Sequence, residues 1–159
     1  MAANTSSTIE PVRFESRSAF TIAGLQERYA PSRRAQIPQQ WQRFVPYIGK
    51  VAGQIGGTTY GVCVPVSGSQ EFDYVAGVEV KEGAEPPEGL ITQRVPERRY
   101  AVFEHRGHVS AISETLQAVH TWLPGSGYKA ARAPMFERYG EKFDPQAGRG
   151  DMEVWIPLQ

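Results

Sequence analysis

Apolar and polar residues alternate along this chain in a series of short runs, and a three-and-four-residue rhythm replaces the alternation twice. Alternation marks strands, whose side chains point to opposite faces every second residue, and the longer rhythm marks helices. Residues 9–17 set Ile9, Val12 and Phe14 among charges and read as a first strand. Ser16-Arg17-Ser18 reads as a turn, and residues 19–26 form a second strand with Phe20, Ile22 and Gly24 on one face. Residues 29–36 are polar and contain Pro31, which predicts a loop. Ile37, Trp41, Phe44 and Ile48 then make one helical stripe, with Pro38 suited to the first turn and Pro46 ending the helix near Val45. Gly53, Gly56 and Gly57 predict a loop. A hairpin follows, with residues 60–66 presenting Tyr60, Val62 and Val64, and residues 72–80 presenting Tyr74, Ala76 and Val78. Gly61 and Gly77 fall on the opposite face of each strand, where a glycine marks a bulge or a close approach by another group.

The order then repeats. Residues 82–89 are a linker by composition, residues 91–95 and 99–106 are strands, and Val109, Ile112, Leu116, Val119 and Leu123 give a second helix stopped by Pro124-Gly125. Residues 135–140 and 151–158 are the last strands; Met152, Val154, Ile156 and Leu158 share a face and Trp155 takes the other. Two half-repeats, about 9–81 and 90–159, each follow strand pair, helix, strand pair. Each half has too little core to stand alone, so the halves must pack together. The expected fold is a single α+β domain over residues 9–159, an antiparallel sheet with helices on one side and a groove between the halves. Residues 1–8 are small and polar and read as a disordered tail without signal-peptide character.

Composition narrows the function. Seventeen basic and seventeen acidic side chains cancel, which argues against a nucleic-acid partner. No apolar run approaches the roughly 20 residues that span a bilayer. Cys63 is the single cysteine, so an intrachain disulfide is excluded and a cytoplasmic location is expected; in its strand Cys63 reads as a small hydrophobe. The three histidines, His105, His108 and His120, lack metal-ligand spacing, and neither metal nor cofactor is expected. The unusual residue is Glu137. With Met135 and Tyr139 it shares one face of a short strand, and spacing alone leaves two readings open: a solvated edge charge, or a buried counter-charge for a cationic ligand.

A set of stretches taken in order resembles the GyrI-like small-molecule-binding domain, also found as the effector-binding half of some AraC-type and MerR-type regulators and in stand-alone integron cassette proteins. These are Ile37-Pro-Gln-Gln-Trp41, Tyr74-Val-Ala-Gly-Val-Glu-Val80, Val95 to Phe103 with His105-Arg-Gly107, Trp122 to Tyr128, Pro134 to Tyr139 and Glu153-Val-Trp-Ile-Pro157. The resemblance implies duplicated strand-helix-two-strand (SHS2-type) half-domains with an aromatic pocket between them. It also implies that Glu137 is the counter-charge for lipophilic cations. The expected ligand-binding residues are Glu137, Trp155, Tyr74, Tyr60 and Trp41; Trp41 also fits plain core, and Tyr60 and Tyr74 could pack without touching ligand. The expected role is a stand-alone small-molecule-binding protein, with no DNA-reading segment attached. Two alternatives stand beside it. One is a hydrolase of reactive small molecules with Glu137 as the catalytic carboxylate, although no nucleophilic triad is legible. The other is a protein-binding role, with DNA gyrase or a regulator as partner.

Overall fold

The computed structural model describes residues 9–159, so the expected tail at residues 1–8 lies outside the described residues. Among these residues eight strands form one antiparallel sheet: β1 (Arg13–Arg17), β2 (Phe20–Tyr29), β3 (Gln54–Pro65), β4 (Phe72–Val80), β5 (Ile91–Val95), β6 (Arg98–His105), β7 (Met135–Tyr139) and β8 (Met152–Pro157). Two helices, α1 (Ile37–Phe44) and α2 (Ile112–Trp122), each end in a short 3-10 turn that begins with an aliphatic residue and a proline. The strand order is β1-β6-β8-β7-β3-β4-β2-β5. The duplication is therefore explicit. β2-α1-β3-β4 and β6-α2-β7-β8 are equivalent units, laid side by side so that β3 and β7 meet at the centre. Their ladder runs from Thr59 opposite Tyr139 to Cys63 opposite Met135, with Gly61 opposite Glu137 in the middle.

The strand that opens each half does not pair with its sequence neighbour. β1 pairs with β6, and β5 pairs with β2, so the halves exchange their first strands. The connectors explain this. Ser18-Ala19 and Pro96-Glu97 are two-residue links, and two-residue hairpins need positive φ in their turns. Neither link contains glycine, and among the described residues no non-glycine has positive φ. The chain continues extended and takes a partner in the other half.

The same links roll the sheet. β1 is first and β2 seventh in the order, which in a flat sheet separates them by roughly 29 Å at ~4.8 Å per strand. Arg17 and Phe20 are three residues apart, so their Cα atoms lie within about 11 Å. The sheet must curl until its two edges approach. Arg17 of β1 confirms the closure: its guanidinium lies 3.7 Å from the Phe20 ring, donates to Tyr60 Oη at 3.3 Å and pairs with Glu79 at 2.9 Å, reaching β2, β3 and β4 at once.

The curl gives the sheet two unlike faces. One carries Phe20, Tyr60, Tyr100, Phe136 and Trp155 in a buried aromatic cluster that involves no helix. The other is covered by α1 over Tyr74, Ala76 and Val78, and by α2 over Ala101, Phe103, Val154 and Ile156, with Met135 touching both layers. Four local expectations change. Ser16 and Arg17, read as part of a turn, are paired residues of β1. The stretch read as a polar loop holds the end of β2, where Tyr29 is buried, and a 3-10 helix over Pro31–Gln36. Gly56 and Gly57 lie within β3, in an irregularity between Gln54 and Thr59 where pairing with β4 lapses. Ile48 lies beyond the end of α1 and is exposed, because Pro46 ends the helix first.

Candidate functional site

Glu137 sits at the centre of the β3–β7 junction on the helix-covered face and is only 5% exposed. Its Oε1 accepts two hydrogen bonds, from Tyr74 Oη at 2.8 Å and from Tyr139 Oη at 2.8 Å. Tyr139 is two residues away on the same strand, so the pleat places both side chains on one face. Tyr74 is on β4, one strand further, and reaches across β3. Gly61 makes the crossing possible: a Cβ there would lie 2.0 Å from the Tyr74 hydroxyl and 2.7 Å from Glu137 Oε1. The strand glycine thus marks a close approach.

Trp41 closes the site from above. Its Nε1 donates to Tyr74 Oη at 2.9 Å, and its ring stands edge-on to Tyr139 with centroids 5.5 Å apart. Gln40 fixes the helix that carries it. Fully buried, Gln40 accepts from Tyr29 Oη at 2.8 Å and donates to the carbonyls of Leu25 at 2.7 Å and Tyr74 at 2.9 Å. One side chain therefore pins α1 to both β2 and β4.

Burial pushes the Glu137 carboxyl above its ordinary range, while the Tyr74 and Tyr139 hydrogen bonds, Arg34 and His105 act in the opposite direction. Burial also raises Tyr74 and Tyr139, with the Glu137 charge adding to the effect, so both phenols stay protonated donors at neutral pH. Among the described residues no Lys, Arg or His forms an ion pair with Glu137. Among the described residues no donor reaches Oε2 either, and the enclosed side-chain polar atom without a partner is Arg98 Nε. Cys63, beside Tyr74 and Met135 in the ladders, is buried, and burial and the Glu137 charge drive its thiol far upward. It is a poor nucleophile there.

Of the five residues singled out in the sequence, the structure brings together Glu137, Tyr74 and Trp41. Tyr60 and Trp155 lie across the sheet in the aromatic cluster, and each already faces a guanidinium. Arg17 serves Tyr60 at 5.5 Å, and Arg13 lies 5.3 Å from the Trp155 ring. Trp155 also donates to Glu153 at 3.0 Å, and Glu153 pairs with Arg13 at 2.8 Å. Tyr139, Gly61 and Gln40 complete the site and were not among the five. Gln40 falls between Ile37 and Phe44 at helical spacing, so its inward direction was available from the stripe.

Two cavities lie elsewhere in the described residues. One of about 140 Å³ lies by Phe20, Ile55, Val80 and Arg94, and one of about 120 Å³ lies under α2; Glu137 lines neither. His105 is buried, donating through Nε2 to the His108 carbonyl at 2.8 Å, with Nδ1 2.6 Å from Thr115 Oγ1. It ties β6 to the start of α2. Among the described residues no cluster of three metal-ligating side chains occurs, and no helix is long and apolar enough to cross a membrane.

The duplicated half-domain fold is that of a small-molecule-binding domain of the effector type. The chain belongs to the GyrI-like small molecule binding domain family, which it matches over residues 10–159. It is 34% identical over 149 residues to the transcriptional regulator BrlR of Pseudomonas aeruginosa, an alignment covering 92% of this chain and 54% of the regulator. The chain thus spans about half the length of that curated relative. Among solved structures, SAV2435 bound to tetraphenylphosphonium superposes with a TM-score of 0.75 at 23% identity, covering 92% of this chain and 93% of that one. The integron cassette protein VCH_CASS2 from the mobile metagenome of Vibrio cholerae gives 0.69 at 16% identity, covering 95% and 97%. At these identities the structural likeness establishes the fold.

Proposed function

We propose that this domain binds lipophilic organic cations, with Glu137 as counter-charge, Tyr74 and Tyr139 orienting its carboxylate, and Trp41 supplying an aromatic face. One observation carries the reading: a carboxylate buried at the junction of the two halves, held by two hydroxyl donors but by no protein cation among the described residues. Burying a charge without a partner is costly, and a cationic ligand supplies the partner that the chain omits. The ligand gains in turn from the indole face, each cation–π contact contributing roughly 0.5–2 kcal/mol. Binding then requires Trp41 to swing away from Tyr139, because in this conformation the two rings pack edge-on against each other beside the carboxylate. The complex of SAV2435 with tetraphenylphosphonium supports the choice of ligand class.

The test is titration of the protein with tetraphenylphosphonium by calorimetry. Glu137→Gln keeps an amide oxygen for both tyrosine hydroxyls and removes only the charge. Loss of binding in a variant with unchanged circular dichroism is expected; unchanged affinity would sink the counter-charge role.

A further inference from the structure

The cavity under α2 has a composition suited to a different task. Its walls are Leu116, Val119 and Leu123 of the helix and its 3-10 end, Ile156 of β8, Met135 of β7 and a run of alanines before β7. The one polar side chain on its lining, His120, is exposed and stands at the rim. Ala130 is exposed as well, so the void opens to solvent. Water gains little in such a place, since a buried water needs two to four polar partners.

The duplication explains why space is left. The helices end in parallel sequences at their 3-10 junctions, Phe44-Val45-Pro46 and Trp122-Leu123-Pro124. Counting back three residues from Phe44 and Trp122 sets Trp41 of α1 against Val119 of α2. Where the first half brings an indole, the second brings an isopropyl group, and the loop beside it offers Ala131 and Ala133. The missing volume is about one ring. At about 120 Å³ the cavity is slightly smaller than the engineered apolar cavities of about 150 Å³ that take up benzene.

Met135 connects this space to the carboxylate. It lies two residues before Glu137 on the same strand face, about 7 Å along the strand, and it packs against both helix layers. A half-buried methionine is the most adaptable wall a core can have, because its unbranched side chain changes rotamer at little cost.

We infer that the α2 cavity is a second ligand subsite, accepting one uncharged aryl arm of a cation whose charge is held at Glu137. The inference rests on the counter-charge reading above, and it narrows the ligand class to cations carrying an uncharged aromatic arm. A ligand placed this way spans both halves of the duplicated fold, and Met135 moves aside to join the two compartments.

Three probes test it. Benzene, which is neutral, is titrated while the methyl resonances of Leu116, Leu123 and Met135 are followed; tetraphenylphosphonium and tetramethylammonium are titrated separately. In the wild-type domain benzene is expected to shift all three methyl groups. Ala133→Leu and, independently, Ala131→Leu fill the void from its alanine wall. In either variant, melting at the wild-type temperature, the benzene shifts vanish and tetraphenylphosphonium affinity falls at least about tenfold, the lower end of the value of burying one aryl group. Tetramethylammonium affinity stays at the wild-type value, since that cation has no arm to place. Unchanged tetraphenylphosphonium affinity in both filled variants overturns the subsite, as does an absence of benzene shifts in the wild-type domain. Glu137→Gln separates the two claims: loss of both cations with retained benzene shifts supports the two-point site, whereas undiminished tetraphenylphosphonium binding overturns the counter-charge, and the two-point ligand with it, even where benzene still binds.

Discussion

Glu137 shows how one residue type acquires a role from its neighbours rather than from its own chemistry. Its carboxyl is held above the ordinary glutamate range chiefly by burial. A raised value in the folded state means that the native protein holds the proton more tightly than the unfolded chain. Stability from this group is therefore full below the unfolded value and is lost as pH rises through the folded value. Glu137→Gln lacks this loss, so we expect it to melt above the wild-type protein at pH 7, with the two converging as pH is lowered towards the usual glutamate range. Thermal melts of both proteins across that range check it. Ligand affinity carries the opposite slope. A proton competes with the cation for the carboxylate, so wild-type affinity should fall about tenfold per pH unit below the folded value, read by calorimetric titration across that range. Gly61 is the counterpart at this scale. Gly61→Ala places a methyl group where the Tyr74 hydroxyl now lies, which breaks the Tyr74–Glu137 bond and costs about 1–3 kcal/mol through overpacking, measurable by urea unfolding.

At the scale of elements, α1 is eight residues long, too short to be stable alone, and its hold on the sheet comes from tertiary contacts. Gln40 supplies the polar part. Gln40→Ala leaves Tyr29 Oη and two strand carbonyls without their partner, at about 1–3 kcal/mol for each group left unsatisfied. We expect amide exchange in α1 to accelerate more than in β3 or β4, read by hydrogen–deuterium exchange. The elements also show what the sequence made legible. Period-two alternation placed Glu137, Met135 and Tyr139 on one face and set Trp155 apart from its aliphatic neighbours, because the pleat is a local property of each strand. The hairpin of β3 and β4 followed from the same local signal. The exchange of β1 and β5 was not legible as pairing, since it depends on which distant edge each strand meets. Nor could a strand's own alternation reveal which face receives the helices. Tyr60 and Trp155 fall on the opposite face from Glu137 because the ladder sets Trp155 opposite Phe136 and Gly61, not Tyr60, opposite Glu137.

The whole molecule is a rolled sheet with a division of labour between its faces. The helix-free face is a closed aromatic cluster, with Phe136 stacked on Trp155 at 5.1 Å and edge-on to Phe20 at 5.4 Å. Its cationic partners are built in, Arg17 at Phe20 and Tyr60 and Arg13 at Trp155. The helix-covered face buries a carboxylate that, among the described residues, no Lys, Arg or His side chain pairs with. If the first face is structural and the second binds ligand, substitutions on the two faces should separate into two groups. Arg17→Ala removes the guanidinium that joins β1 to β2, β3 and β4, and should lower stability by about 1–3 kcal/mol, since Glu79 and the Tyr60 hydroxyl lose a charged partner. Tyr60→Phe and Trp155→Phe should likewise affect unfolding. All three should keep tetraphenylphosphonium affinity within about twofold of wild type, as expected for sites with no shared partners. Trp41→Ala should do the reverse, lowering affinity about fivefold or more through loss of the cation–π contact. Urea unfolding and calorimetric titration of the same four proteins give both axes. Loss of affinity on Trp155→Phe comparable to that on Trp41→Ala would move the ligand to the aromatic face and remove Glu137 from the site.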